Sequence, residues 1–123
     1  MALVLQVLVL GRGRTYSLHP RIAGMFMARV VLAPALARWL PPSAGAAAGE
    51  VALDVAASSV GNALDGVFAL HPNLRGYVLD ERGAVRHHVA VFVDGDAIGD
   101  KRNLSQPIGE RAEVYVMQAL SGG

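Results

Sequence analysis

EVALDVAASSVGNALDGVFALHP, residues 50–72, changes its apolar period midway, and that change decides the fold class. At first Val51, Leu53 and Val55 alternate with Glu50, Ala52 and Asp54, the period of two that lets a strand put one face on a core and the other in water. From Ser59 onward Val60, Leu64, Val67 and Phe68 recur at helical spacing, the buried stripe of a helix of about three turns. Ser59 stands where an N-cap belongs, because its hydroxyl can accept from an N–H group that the first turn leaves unpaired. His71-Pro72 is the stop, since a proline disfavours the helical conformation at the residue before it. Gly66 lies inside this helix in spite of a cost of roughly 1 kcal/mol against alanine.

Upstream of this unit, ARVVLAPAL (residues 28–36) reads as a strand with Val30 and Leu32 on one face and Arg29 and Val31 on the other, limited by Pro34. RWLPPSAGAAAG (38–49) reads as a loop with little packing, across which the two flanking strands form a hairpin. Downstream, NLRGYVLDERGA (73–84) is turn-rich. HHVAVFVDG (87–95) then gives a third strand, with Val89, Val91 and Val93 against Ala90 and Phe92, ended by Asp94-Gly95. Asp96 to Ile98 adds a short edge strand. GDKRNLSQPIGE (99–110) is a polar loop pinned by Leu104 and Ile108, and AEVYVMQA (112–119) is the last strand before LSGG. One helix covering one face of a four- to five-stranded mixed sheet, in the order ββαβ(β)β, is an α+β roll.

The bulk properties agree with one small soluble domain and remove several functions. The 123 residues are 53% hydrophobic and 17% charged, apolar enough to fold around a single core. A net charge of +1 lacks the basic excess that binding a phosphate backbone needs, so nucleic acid is not expected as a partner. Charge is uneven, however: Arg12, Arg14 and Arg21 stand alone before Met27, while all ten acidic residues follow it. Ala2 to Leu10 is apolar but far shorter than the ~20 residues of a bilayer span, and its arginines follow the apolar run rather than precede it as in a secretory signal. Residues 1–26 are therefore expected to be a dispensable extension, with Met27 the natural start of a domain spanning 27–123 in the cytoplasm.

Enzymatic signals are weak throughout. Without cysteine there is no disulfide, thiolate nucleophile or Cys zinc site. His87 and His88 are neighbours on the expected third strand and point to opposite faces, so they cannot chelate one ion together, and no metal site is expected. None of the serines lies in a G-x-S-x-G elbow. GRGR at residues 11–14 matches neither phosphate-binding fingerprint. Asp80-Glu81 and the pair Asp94 and Asp96 read as turn formers rather than paired catalytic carboxylates. What remains is the end of the sequence, where Gly122 and Gly123 follow the last strand with only Leu120 and Ser121 after Ala119, a thin terminus able to enter a narrow channel.

The ordered set formed by a helix running into HPNLRG, a strand ending in VFVDG, a loop containing LSQPI, a last strand and LSGG resembles the small sulfur carriers of the MoaD/ThiS family, ubiquitin-like β-grasp proteins that end in Gly-Gly. The resemblance covers nearly all of residues 27–123. It implies a β-grasp roll and a protein that is not an enzyme and binds no cofactor. An activating enzyme of the ubiquitin-activating type would adenylate the Gly123 carboxylate with ATP, and a sulfur donor would convert it to a thiocarboxylate for a sulfur-accepting synthase. Leu120, Ser121, Gly122 and Gly123 would form the tail that enters the partner's active site. The approach QALSGG lacks the proline that many relatives carry before the glycines, so the acceptor stays open among molybdopterin, the thiamin thiazole, cysteine and thio-containing secondary metabolites.

Strand alternation adds an expectation about docking. With Val114 and Val116 facing the helix, Tyr115, Met117 and Ala119 face outward, joined by Ala90 and Phe92 of the third strand. These five residues, beside Leu120, are the candidate partner-binding patch. Two other readings stand beside the carrier: a ubiquitin-like modifier joined through Gly123 to lysines of target proteins, and a β-grasp interaction module with an inert tail.

Overall fold

The computed structural model describes residues 26–41, 44 and 49–118, and within it the chain begins with strand β1, Phe26–Leu32. A four-residue helix α1, Pro34–Ala37, follows, and then β2, Val51–Ala57. Helix α2 spans Val60–Leu70, a 3₁₀ turn covers Pro72–Leu74, and a single-turn helix α3 occupies Arg75–Val78. Strands β3, Val89–Val93, β4, Asp96–Ala97, and β5, Glu113–Gln118, complete the described chain. They form one five-stranded sheet in the order β2-β1-β5-β3-β4. β1 pairs parallel with β5, and every other pairing is antiparallel. A mixed sheet with its main helix packed across one face is the α+β roll that the order of elements implied and the β-grasp that the family resemblance implied.

Alternation sorts the strands as expected. Ala28, Val30 and Leu32 of β1, Val89 and Val91 of β3, and Val114 and Val116 of β5 turn to the core with Val51 and Val55 of β2. α2 lays Val60, Ala63, Leu64, Val67 and Phe68 onto them. At roughly 1.5–3 kcal/mol for each large apolar side chain taken from water, this two-layer contact is the main source of stability.

The start of α2 is fully accounted for. The Asn62 N–H donates to Ser59 Oγ at 3.1 Å, the capping role assigned to Ser59. The Val60 and Gly61 N–H groups donate to the carbonyls of Gln106 and Leu104 at 3.0 and 2.8 Å, and the Ala63 N–H to that of Ser59. The LSQPI loop thus closes the helix N-terminus with its backbone, and the Val60, Gly61 and Asn62 N–H groups, which the helix itself leaves without partners, are all paired in a half-buried setting. Its Ile108 is buried and Leu104 half-buried, as the two pins require.

Gly66 has a packing reason. A Cβ at this position would stand 2.9 Å from Val55 Cβ and 3.0 Å from Val55 Cγ1, closer than real contacts allow, so the helix sits this near β2 because the residue has no side chain. Asp94 and Gly95, with φ of 50° and 92°, form the two-residue turn between β3 and β4, for which an Asp-Gly pair is suited.

The sequence reading needs correction in four places. PALA, taken as the end of a strand, turns into α1: Pro34 has the φ of a first helical turn and no N–H to lose there, and Leu36 and Ala37 are buried. Leu40, assigned to a loop with little packing, is buried in the core. The turn-rich stretch after Pro72 contains the 3₁₀ turn and α3, whose Leu74 and Val78 are buried. His87 and His88 lie in a turn before β3 instead of on it, their ring centroids 6.3 Å apart and their planes at 61°, so the opposite-faces argument does not apply to them. The strand boundaries shift by less: β1 already begins at Phe26, within the segment set aside, and β4 stops at Ala97 rather than Ile98.

Candidate functional site

β5 lies at the centre of the sheet, and its register places the candidate patch on the face away from α2. Tyr115 stands opposite Phe92 of β3 and level with Val31 of β1, and Met117 stands opposite Ala90. Phe92 continues to Ala97 and Val31 to Ala52, so one apolar row crosses all five strands. Ala90, Phe92, Tyr115 and Met117 are each half-buried, which places four of the five patch residues together on the outer face. The fifth, Ala119, lies outside the described residues, as do Leu120, Ser121, Gly122 and Gly123.

Tyr115 organises this face. Its hydroxyl donates to Glu50 Oε2 at 3.2 Å across 65 positions of sequence. Because Glu50 precedes β2 and β1 lies between β2 and β5, the ring must lie across β1, and Val31 beneath it is only 7% exposed although it faces outward. Desolvation first, and then the hydrogen bond and charge of Glu50 and the charge of Glu113, push the phenol above its ordinary pKa, so it remains a neutral donor. The next row is charged, with Arg29 opposite Asp54 on one side and Glu113 on the other. An apolar row with a charged border suits a protein partner.

Backbone bonds fix β5 as far as Gln118. The Ala33 N–H donates to the Val116 carbonyl at 2.9 Å, and Gln118, the last residue of β5, stands opposite Val89. The last described residue of β5 is therefore level with the beginning of β3, which Arg86, His87 and His88 precede.

Two surface features escaped the sequence reading. Trp39 and Tyr77 stack at 4.7 Å with planes 10° apart while remaining 39% and 36% exposed, and the Arg38 guanidinium lies 5.0 Å from the Trp39 ring centre. The Trp39 carbonyl accepts from Asn73 Nδ2, tying α1 to the 3₁₀ turn. Only the short turn after α1 and a single-turn helix carry these residues, so no period marked them. The turn formers, by contrast, act as expected. The Asp80 carboxylate accepts from the Arg82 and Ala84 N–H groups at 2.8 and 3.0 Å, and Asp94 Oδ1 accepts from the Glu113 N–H at 2.9 Å. Among the described residues no group of three or more histidine and acidic side chains is placed to hold a metal ion. No described helix is long and apolar enough to cross a membrane.

No protein-family profile matches the chain, and no curated protein matches its sequence. Solved structures do. The crystal structure of SAMP1 from Haloferax volcanii is 28% identical, with a TM-score of 0.59 over 79% of this chain and 99% of that one. The solution structure of the small archaeal modifier protein 1 from Methanosarcina acetivorans, 20% identical, gives a TM-score of 0.62 over 82% of this chain and all of that one. A chain in the crystal structure of the BexX/CysO complex from Amycolatopsis orientalis, 16% identical, gives 0.54 over 76% of this chain and 99% of that one. These similarities place the chain among small ubiquitin-like β-grasp folds.

Proposed function

We propose that this chain is a sulfur carrier of the MoaD/ThiS type, a protein substrate rather than a catalyst, acting in the cytoplasm. The observation that carries the reading is the end-to-end match to a small modifier protein, 99% of whose length is covered at 28% identity, combined with Gly122-Gly123 directly beyond the central strand β5. In the first step a Gly123 carboxylate oxygen attacks the α-phosphorus of ATP in a ubiquitin-activating-type enzyme, forming the acyl-adenylate and releasing pyrophosphate. Hydrosulfide supplied by a sulfur donor then attacks the acyl carbon, AMP leaves with the C–O bond broken and the C–S bond formed, and the resulting thiocarboxylate passes to a sulfur-accepting synthase. The carrier's own contribution is to dock and to present. Ala90, Phe92, Tyr115, Met117 and Ala119 form the docking surface, and Leu120, Ser121, Gly122 and Gly123 enter the partner's site. A chain without cysteine suits this role, because the sulfur rides on the terminal acyl group.

A modifier joined through Gly123 to target lysines is the second reading, favoured by the similarity to the small archaeal modifier proteins 1 of Haloferax volcanii and Methanosarcina acetivorans. Both readings begin with adenylation and diverge at the nucleophile. Intact-mass measurement on the protein recovered from its host, or incubated with ATP, an activating enzyme and a sulfur donor, separates them. A gain equal to one oxygen exchanged for sulfur, absent after deletion of Gly123, supports the carrier. Gly123-dependent covalent conjugates on a denaturing gel support the modifier, and an unmodified terminus in every preparation refutes both in favour of an inert interaction module.

A further inference from the structure

The loops before β3 and after β4 meet to form a cleft lined by Asp80, Arg82, His87, Lys101 and Arg102. The Val85 N–H donates to the Lys101 carbonyl at 2.9 Å, which pins the two loops together. The Lys101 ammonium donates to the carbonyls of Arg86 and His87 at 3.2 and 3.1 Å, so this flexible side chain is already held in place and keeps a third N–H for another acceptor. Asp80 is the one carboxylate in the lining, and both hydrogen bonds to it come from its own turn. Arg82, His87 and Arg102 are exposed. The cleft thus offers several cationic donors against one carboxylate that is turned to the backbone.

Its position matters as much as its charge. Val89 stands opposite Gln118, the last described residue of β5, so the cleft residue His87 lies two positions from the level of Gln118. The opposite end of the sheet carries Asp94, Asp96 and Glu113 around the β3–β4 turn and the start of β5, with Arg29 level with Glu113 and Arg111 just before it.

We infer that this cleft is a second docking site, for an acidic segment of the protein that receives the tail. An acidic polypeptide fits because the lining presents spread-out donors from two loops rather than a closed cradle of converging N–H groups, and because charge complementarity beside the exit would orient the partner as the tail enters. The identity of the occupant as the tail's recipient rests on the proposed function; the preference of the cleft for acidic polypeptide does not.

The test uses the full chain, a fluorescent glutamate-rich peptide, and the double charge reversal R82E/R102E, which changes only exposed side chains. The peptide is expected to shift the amide resonances of residues 82–87 and 101–102, to bind less tightly as salt rises, and to lose about tenfold or more in affinity with R82E/R102E. Deletion of Gly122 and Gly123 should leave its affinity unchanged, so loss of the carrier reading by mass spectrometry and loss of the cleft assignment are read separately. Equal affinity of R82E/R102E, with an unchanged melting curve to show that it is folded, overturns the inference. So do resonance shifts that map to another surface, or displacement of the peptide by inorganic phosphate at equal concentration, which would make the cleft a small-anion site.

Discussion

Replacing Gly66 with alanine sets two physical effects against each other, and the structure decides the sign. In a helix interior the substitution normally stabilises by about 1 kcal/mol, because glycine loses more backbone freedom on folding. Here the added methyl would stand 2.9, 3.0 and 3.4 Å from Val55 Cβ, Cγ1 and Cγ2. Val55 cannot easily move aside, since it is β-branched, its Cβ is fixed by the strand backbone, and β2 is paired with β1 along its whole length. Relief must come from lifting α2 off the sheet, where Leu64 and Val67 would surrender close contacts. Overpacking of this kind costs roughly 1–3 kcal/mol, so Gly66→Ala is expected to be destabilising by up to about 2 kcal/mol net. Denaturant unfolding checks the value through its midpoint at constant slope. A double-mutant cycle with Val55→Gly isolates the cause: with the valine Cβ and both methyls gone, the same alanine should be neutral or stabilising. A rise in stability for Gly66→Ala in the native background would refute the close approach of α2 to β2.

Other consequences follow from single contacts. Ser59→Ala removes the Oγ acceptor of the Asn62 N–H and is expected to cost about 1 kcal/mol, read from the same unfolding midpoint. Gly95→Ala forces a Cβ into a φ of 92° and should destabilise by roughly 1–2 kcal/mol while leaving the core intact, so its unfolding slope should match the parent's. The Asp80 carboxyl lies below its ordinary range because the Ala84 and Arg82 N–H groups hydrogen-bond its ionised form. A depressed folded-state value means that this stabilising contribution is present above the ordinary carboxylate range and is lost as pH falls through the folded value. The protection of the Arg82 and Ala84 amides, taken relative to their intrinsic exchange rates at each pH, should therefore fall on acidification, and in Asp80→Asn that loss of protection should largely vanish.

The sequence was most legible where the controlling interactions are short in range. The strand and helix of residues 51–70 follow from period, cap and stop, all within a few positions of each other. The outward placement of Phe92, Tyr115 and Met117 also follows from alternation alone, since once Val91, Val114 and Val116 face the core their neighbours have no other face to occupy. α1 and α3 are each a single turn, too short to display a helical period, and α3 is held by later residues, with Arg86 donating to the Val78 carbonyl from its backbone and to that of Gly76 from Nε. The purpose of Gly66 depends on the separation between helix and strand, a quantity absent from any local pattern. The cationic cleft was hidden for the same reason: its two halves are separated by β3 and β4 and meet only through the fold.

The mixed topology gives the molecule two electrostatically different ends, and this can be tested at the end where nothing is expected to dock. β5 runs parallel to β1 and antiparallel to β3, so the exit at Gln118 coincides with the beginning of β3 and the cationic loops, while Glu113 coincides with Asp94 at the far end. A strand of this length separates the two by about 17–20 Å, roughly twice the ~8 Å screening length at physiological salt. Asp96→Lys, on the exposed edge strand β4, should therefore change the affinity of the glutamate-rich peptide by less than about twofold, although it alters net charge by the same amount as one of the two reversals in the cleft. Measured at physiological ionic strength, a large gain in affinity from Asp96→Lys would mean that the peptide responds to total charge, and the separation of the molecule into a docking end and an inert end would fail.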